Sequence, residues 1–179
     1  MYYLRRINET KWEGRPNLDA VSISDLSTDD NDISVWEVSD KDKDLNTIAL
    51  SLAMTKNRIK DMVVVILESE NLKKLGLHMN PKPGDSKFVE MNNCHNNIKV
   101  PTFWELGFLS EYIHDLVSNE QYVYFAEDEL KAFLYDVAKS GKLDLGILKD
   151  KDNKHLKGAL IEKCQELKDK EFIRTLEAL

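Results

Sequence analysis

Residues 62–67 read Met-Val-Val-Val-Ile-Leu, a run that is apolar at every position. A strand with apolar side chains on both faces must be covered on both, so this run predicts a central strand of a sheet. The residues before it carry apolar side chains at the spacing of one helix face and predict an amphipathic helix over about 45–60. Ahead of that helix, Ile33–Val38 has the composition of a strand. Strand, helix and strand in this order predict a crossover unit.

The flanking sequence predicts a protein of mixed α and β structure. Tyr2–Ile7 is rich in aromatic and branched residues and predicts a first strand. After Pro101 the apolar spacing becomes helical. The expected fold class is therefore α/β or α+β, with a small mixed sheet and a crossover helix, followed by a helical C-terminal half. We expect a small α/β layer over residues 1–100 and a helical half over residues 101–179, packed together as one domain.

Four local expectations decide where candidate side chains lie. Prolines and a glycine predict a loop over His78–Lys87, and the asparagine-rich stretch Asn92–Asn97 predicts a turn. Between them, Lys87–Met91 predicts a strand. At the C-terminal end, apolar residues at helical spacing predict one helix over about 156–179.

The chain of 179 residues holds 32 acidic and 25 basic residues, which give a formal net charge of −7. This balance argues against binding to nucleic acid, which depends on gathered Lys and Arg side chains. No apolar run approaches the ~20 residues of a membrane helix, and the N-terminal residues do not resemble a signal peptide. The two cysteines, Cys94 and Cys164, make no disulfide framework. We expect an acidic, cytoplasmic protein with reduced thiols and no membrane association.

The sequence lacks the motifs that mark cofactor and metal sites by their local spacing. Its seven glycines are too widely spaced for a phosphate-binding or dinucleotide-binding loop. No serine lies in a Gly-x-Ser-x-Gly motif, and no pair of Cys or His residues has the spacing of a zinc site. The sequence therefore predicts no cofactor and no metal, and it leaves enzymatic activity uncertain.

A catalytic hypothesis starts from the first strand. Alternation puts Arg5 and Arg6 on opposite faces, so one of them can project into a cleft and bind a phosphate or carboxylate. The alternative is an arginine that pairs with surface acids on an edge strand. The residues of the hypothetical nucleotide pocket are Arg5, Arg6, Trp12, Ser34, Trp36 and His95.

The order of these residues resembles that of some ADP-ribosyltransferase-like folds. Such folds begin with an Arg-bearing strand, followed by a Ser-bearing strand and a helix, as Arg5 or Arg6 and then Ser34 do here. The resemblance covers about one third of the chain, includes no diagnostic motif and identifies no family. It implies a nucleotide or NAD-like ligand and a late catalytic Glu, for which Glu90 and Glu105 are the candidates.

Cys94 and His95, together with His78, suggest a thiol nucleophile or part of a metal site. Neighbours in an extended chain point to opposite faces, so Cys94 and His95 would each need a distant partner. The alternative is an exposed histidine beside a thiol that is simply packed.

Three features predict contacts with another protein. Trp104, Phe108 and Tyr112 form a second apolar stripe on a helix that Thr102 caps, either as an interface or as core. The acidic segment Asp25–Asp44 is a docking surface for a basic partner, a cation site or a solvated loop. The C-terminal helix either clasps a partner or a second copy of itself, or folds back on its own domain.

These features predict a cytosolic, non-enzymatic interaction or regulatory protein that acts as a subunit of a larger assembly. The expected partner is another protein or a second copy of this chain, bound through Trp104, Phe108 and Tyr112. The alternative is an enzyme acting on a nucleotide or NAD-like ligand.

Overall fold

The computed structural model describes residues 1–26, 30–55 and 58–179, and for residues 41–43 it describes the backbone only. The strands of this part of the chain are β1 (Tyr2–Ile7), β2 (Asp32–Val38), β3 (Met62–Glu68), β4 (His78–Pro81), β5 (His95–Lys99) and β6 (Tyr122–Phe125). The α-helices are α1 (Ala20–Ile23), α2 (Lys41–Met54), α3 (Ser69–Lys74), α4 (Phe103–Ser118), α5 (Glu127–Lys139), α6 (Lys154–Glu166) and α7 (Lys170–Glu177).

The strands form one sheet in the order β4-β5-β2-β1-β3-β6. The pairs β1–β2, β1–β3, β2–β5 and β4–β5 are all antiparallel. Because β2 and β3 both run antiparallel to β1, they run parallel to each other, and α2 connects them across β1. The predicted crossover helix is therefore confirmed, as is the mixed α and β fold with a largely helical C-terminal half.

One face of the sheet packs against α4. Buried strand residues such as Ile7, Val35 and Val65 form one apolar cluster with Leu109 and Ile113 of the helix. The spacing of the helix residues puts them on one side of α4, as the sequence predicted. This packing fixes which side of α4 faces away from the sheet.

The chain forms two compact units that interleave along the sequence. The first unit holds most of the sheet and α4, and covers residues 1–48, 63–84 and 93–124. The second holds α5, α6 and α7, and covers residues 49–62, 85–92 and 125–179. The predicted grouping into residues 1–100 and 101–179 stays a prediction.

Polar contacts join the helices of the second unit. Lys131 on α5 forms ion pairs with Glu127 and with Glu162 of α6, each at 2.8 Å. Asp169 accepts hydrogen bonds from Tyr135 Oη at 2.7 Å and Lys139 Nζ at 2.6 Å. These contacts join α5 to the segments that contain α6 and α7.

Several local predictions are wrong, and in two of them the segment pairs with a neighbouring strand of the sheet. His95–Asn97 lies in β5, where it pairs with β2 instead of turning. His78–Pro81 forms edge strand β4, the place in a sheet where proline is tolerated. A 3₁₀ helix over Val89–Cys94 replaces the strand predicted there. The C-terminal helix divides into α6 and α7, since Lys168 adopts a φ of 58°.

No helix within residues 1–26, 30–55 and 58–179 combines the length and the apolar character needed to cross a bilayer.

Candidate functional site

The N-terminal end of α4 is defined by a capping box. The Thr102 hydroxyl accepts a hydrogen bond from the Trp104 backbone N–H at 3.2 Å, and it donates one to the Glu105 carboxylate. This is the cap that the sequence predicted. The Thr102 contact lowers the pKa of Glu105. Starting the helix at this residue places Phe103 and Trp104 in its first turn.

Three aromatic side chains at this end of α4 remain exposed after folding. Phe103 is 91% exposed, Trp104 is 76% exposed and Phe108 is 41% exposed. By contrast, Leu109 and Ile113 on the opposite side of the helix are fully buried. We call Phe103, Trp104 and Phe108 the aromatic surface. Phe103 was missing from the sequence-based set, although a helix capped by Thr102 necessarily puts it in the first turn.

Tyr112 differs from the other two residues of the predicted stripe. It is half-buried, and its hydroxyl accepts hydrogen bonds from the Glu68 backbone N–H at 3.1 Å and from Asn71 Nδ2 at 3.2 Å. These bonds tie α4 to the end of β3 and to α3. The structure therefore separates Tyr112, which contacts its own unit, from Trp104 and Phe108, which face solvent.

A groove of about 570 Å³ adjoins the aromatic surface. Phe103 and Leu106 of α4 form part of its wall. Most of the other lining side chains are apolar, and no Lys or Arg is among them. The remaining lining residues are Ala20, Ile23, Ser24, Leu26, Asn31, Val100, Pro101 and Thr102.

The two arginines of β1 lie on opposite faces of the sheet, as alternation predicted. Arg5 pairs with Val65, whose side chain belongs to the apolar cluster under α4. Its guanidinium group donates hydrogen bonds to the carbonyl oxygens of Ser34 at 3.0 Å and Asp25 at 3.2 Å. Burial lowers the pKa of Arg5. These contacts give Arg5 a structural role between β1, β2 and the segment after α1.

The other face of the sheet brings four candidate residues together. Leu4 pairs with Trp36, and Trp36 pairs with His95. Arg6 lies two positions after Leu4, and Ser34 lies two positions before Trp36. Because side chains alternate along a strand, Arg6 and Ser34 project from this face as well. Burial lowers the pKa of Arg6.

His95 and Ser34 form a direct hydrogen bond on this face. Ser34 Oγ lies 2.7 Å from His95 Nε2, and His95 Nδ1 lies 2.5 Å from the carbonyl oxygen of Lys82. A carbonyl oxygen only accepts hydrogen bonds, so Nδ1 carries the proton and donates it. In the neutral ring Nε2 is then the acceptor for the Ser34 hydroxyl. Both side chains are half-buried.

Neither tryptophan of the hypothetical nucleotide pocket offers a free ring face. Trp12 is 1% exposed, and its Nε1 donates a hydrogen bond to the Asp25 carboxylate at 2.9 Å. Trp36 is also buried, with its ring 5.3 Å from the His95 ring. Gly84 lies so close to Trp36 that a Cβ there would come within 2.7 Å of the indole ring. Neither ring is therefore placed to stack on a nucleobase.

The thiol and metal hypothesis gains no support from geometry. Burial, and then the nearby carboxylates Glu37 and Asp44, raise the pKa of the Cys94 thiol. A raised pKa disfavours the nucleophilic thiolate. His78 is exposed on β4, opposite Lys99. Throughout residues 1–26, 30–55 and 58–179, no group of three His, Cys, Asp or Glu side chains is arranged to hold a metal ion.

The predicted acidic segment Asp25–Asp44 includes residues 27–29, which lie outside the described residues, as do the side chains of residues 41–43. Two of its described carboxylates serve internal contacts. Asp25 accepts hydrogen bonds from Asn8 and Trp12, and Asp32 forms an ion pair with Lys99 at 2.5 Å.

Glu90 and Glu105 were the two candidates for the catalytic Glu that the resemblance to ADP-ribosyltransferase-like folds implies, and they lie in different settings. Glu105 belongs to the capping box, and Glu90 is exposed in the 3₁₀ helix that precedes β5. Neither is bonded to Ser34 or His95 in the described part of the chain.

A scan against protein-family models finds no family that matches this chain, and searches of curated proteins and of solved structures find no significant match.

Proposed function

We propose that this protein is an interaction protein of a larger assembly and that the aromatic surface of α4, with the adjoining groove, binds a protein partner. The observation that carries the proposal is the exposure of Phe103, Trp104 and Phe108 in consecutive turns of a well-capped helix.

The proposal follows from what folding leaves unburied. Burying one large apolar side chain stabilises a protein by roughly 1.5–3 kcal/mol, and the aromatic surface forgoes most of this gain. Single exposed apolar residues are ordinary, but several exposed aromatic residues at one helix end beside an apolar groove are typical of binding surfaces. Aromatic residues also dominate the energetics of protein interfaces, because they bury a large area with few rotatable bonds.

The proposal is tested by selecting binders from a displayed library of random 16-residue peptides. Wild-type protein and the double variant Trp104→Ala/Phe108→Ala are used as baits in parallel. We expect peptides that the wild type enriches and the double variant does not, since removing two interface aromatics typically costs at least 2 kcal/mol of binding.

The matched control is Val89→Ala, which truncates another exposed apolar side chain outside the aromatic surface. It should enrich the same peptides as the wild type. Equal enrichment by the wild type and the double variant, or no enrichment by the wild type, would contradict the proposal. Sedimentation velocity across protein concentrations is run beside it. Self-association that Trp104→Ala abolishes would assign the surface to a second copy instead.

A second candidate function is nucleophilic catalysis by Ser34, favoured by the bond between Ser34 Oγ and His95 Nε2. In this reaction Oγ attacks an ester carbonyl while its proton moves to Nε2. The leaving alcohol takes that proton, and water then hydrolyses the acylated serine. The Lys82 carbonyl holds the imidazole in the required tautomer. Arg6 on the same face provides positive charge for an anionic carboxylic ester.

The second candidate is tested with a fluorophosphonate probe, which forms an adduct with activated serines. Catalytic competence predicts an adduct on Ser34, located by peptide mass spectrometry, and about 100-fold slower labelling in His95→Gln. Ser118→Ala, which removes an exposed serine of α4, is the matched control. An unlabelled Ser34, or equal rates in the wild type and His95→Gln, would exclude this candidate.

A further inference from the structure

We infer that the partner segment of the aromatic surface is apolar and basic, with Lys or Arg side chains flanking the residues that enter the groove. This inference rests on the proposed function and names the chemistry of the partner. It follows from the charges and the rings that surround the surface.

The first observation is that α4 carries acidic residues and no Lys or Arg. Its 16 residues include Glu105, Glu111 and Asp115. Glu111 and Asp115 are exposed, and neither forms an ion pair with another described residue. A partner that covers Trp104 and Phe108 approaches these carboxylates along the same helix.

Two basic residues near the groove are offset by carboxylates. Lys99 pairs with Asp32 at 2.5 Å, and Arg15 pairs with Asp19 at 2.5 Å. Lys11 donates a hydrogen bond to Ser24 Oγ at 3.0 Å and keeps its positive charge on that side of the groove. Along α4 itself, an incoming segment meets carboxylates and no Lys or Arg, in a chain whose net charge is −7.

The N-terminus of α4 does not change the preference for a basic partner into one for an anionic partner. An uncapped N-terminus attracts anions through its free N–H groups. Here Thr102 accepts from the Trp104 N–H, and Glu105 places a carboxylate in the first turn. The positive end of the helix dipole is therefore already balanced by the chain itself.

The exposed rings favour the same partner. The faces of Trp and Phe attract Lys and Arg through cation–π contacts, which are strongest for Trp. Trp104, Phe108, Glu111 and Asp115 follow one another at spacings of three or four residues and so share one face of α4. A basic segment along this face can therefore contact both the rings and the carboxylates. The neighbouring groove, at about 570 Å³, accommodates the few apolar side chains of such a segment.

The test uses the peptides selected by the wild-type protein, with affinities measured by fluorescence anisotropy at 50 and 300 mM NaCl. We expect the selected pool to be enriched in Lys and Arg beside apolar residues. Replacing their basic residues with Gln should weaken binding about tenfold at low salt, and binding of the parent peptides should weaken as salt rises.

The reciprocal change is made in the protein. Glu111→Lys/Asp115→Lys should weaken binding of the basic peptides about tenfold. The double variant Glu129→Lys/Asp136→Lys on α5 changes the net charge equally at exposed positions and should bind them as the wild type does. Circular dichroism of each variant verifies that it is folded.

Peptides that bind through Trp104 and Phe108 without basic residues would overturn this inference and leave the proposed function standing. Binding that is insensitive to salt and to Glu111→Lys/Asp115→Lys would do the same. Failure to select any peptide would overturn both.

Discussion

Helices α4 and α5 follow the same amphipathic rule, and yet they differ in what folding does with their apolar residues. On α5, Leu130 and Leu134 are buried, and the exposed positions are charged, among them Glu129 and Asp136. On α4 one apolar stripe is buried and a second remains exposed at the N-terminal end. The sequence pattern of α5 is fully explained by the stability of the fold. The pattern of α4 is explained only in part, and the remainder points to a partner.

The largest expected effect on the free energy of unfolding comes from truncating one buried side chain on each helix. Ile113→Ala on α4 and Leu134→Ala on α5 each remove a fully buried side chain and leave a cavity. Each should lower the free energy of unfolding by about 2–5 kcal/mol, measured by urea denaturation. A loss below about 1 kcal/mol at Ile113 would show that the sheet and α4 do not pack as described.

The next effect concerns Asp169, which accepts hydrogen bonds from Lys139, Tyr135 and the Phe172 backbone N–H. These bonds, with that from Lys139 the strongest cause, lower the pKa of Asp169 from 3.8 to about 2. A lowered pKa in the folded state means that the carboxylate contributes stability above pH 3.8, and that this contribution is lost as the pH falls through about 2.

Asp169→Asn should therefore lower the melting temperature at pH 6, and the difference from wild type should shrink between pH 4 and pH 2. Thermal unfolding followed by circular dichroism measures both. A difference that stays constant down to pH 2 would mean that the charge of Asp169 does not stabilise the second unit.

A smaller effect is expected at the cap of α4. Thr102→Ala removes the acceptor of the Trp104 N–H and should destabilise the protein by about 1 kcal/mol, whereas Thr102→Ser should retain most of the stability. Urea denaturation of the two variants provides the comparison. Equal losses in both would show that the hydroxyl does not cap the helix.

The smallest expected effect on the free energy of unfolding is at the exposed side of α4, in contrast to its buried side. Trp104→Ala should change the free energy of unfolding by less than about 0.5 kcal/mol, because the side chain contacts solvent in the free protein. Together with a large loss at Ile113, this result would assign one stripe to folding and the other to binding. A loss above about 2 kcal/mol at Trp104 would place that ring in the core.

The elements that could be predicted were those with a strong local signal. The apolar run in β3, the helical spacing of α4 and the cap at Thr102 each depend on neighbouring residues, and each was confirmed. The 92–97 segment was misjudged because its asparagines favour a turn locally. Pairing of His95–Asn97 with β2 supplies backbone hydrogen bonds that outweigh this preference.

The candidate site residues, too, could be predicted only where neighbouring residues decide their position. Alternation correctly separated Arg5 from Arg6, but burial of Arg5 against Ser34 and Asp25 depends on segments distant in sequence. Sequence alone could not separate Tyr112 from Trp104 and Phe108, since all three share one helical stripe. Only the position of α3 and the end of β3 decides which ring is covered.

The most direct test of the central claim uses the three tryptophans, of which Trp12 and Trp36 are buried and Trp104 is 76% exposed. Acrylamide quenching of fluorescence is measured for the wild type and Trp104→Phe, each alone and with a saturating basic peptide selected as above. The account predicts a strongly quenched component that is absent from Trp104→Phe and becomes protected when the peptide binds. Protection of Trp104 in the free protein, or unchanged quenching in the complex, would contradict it.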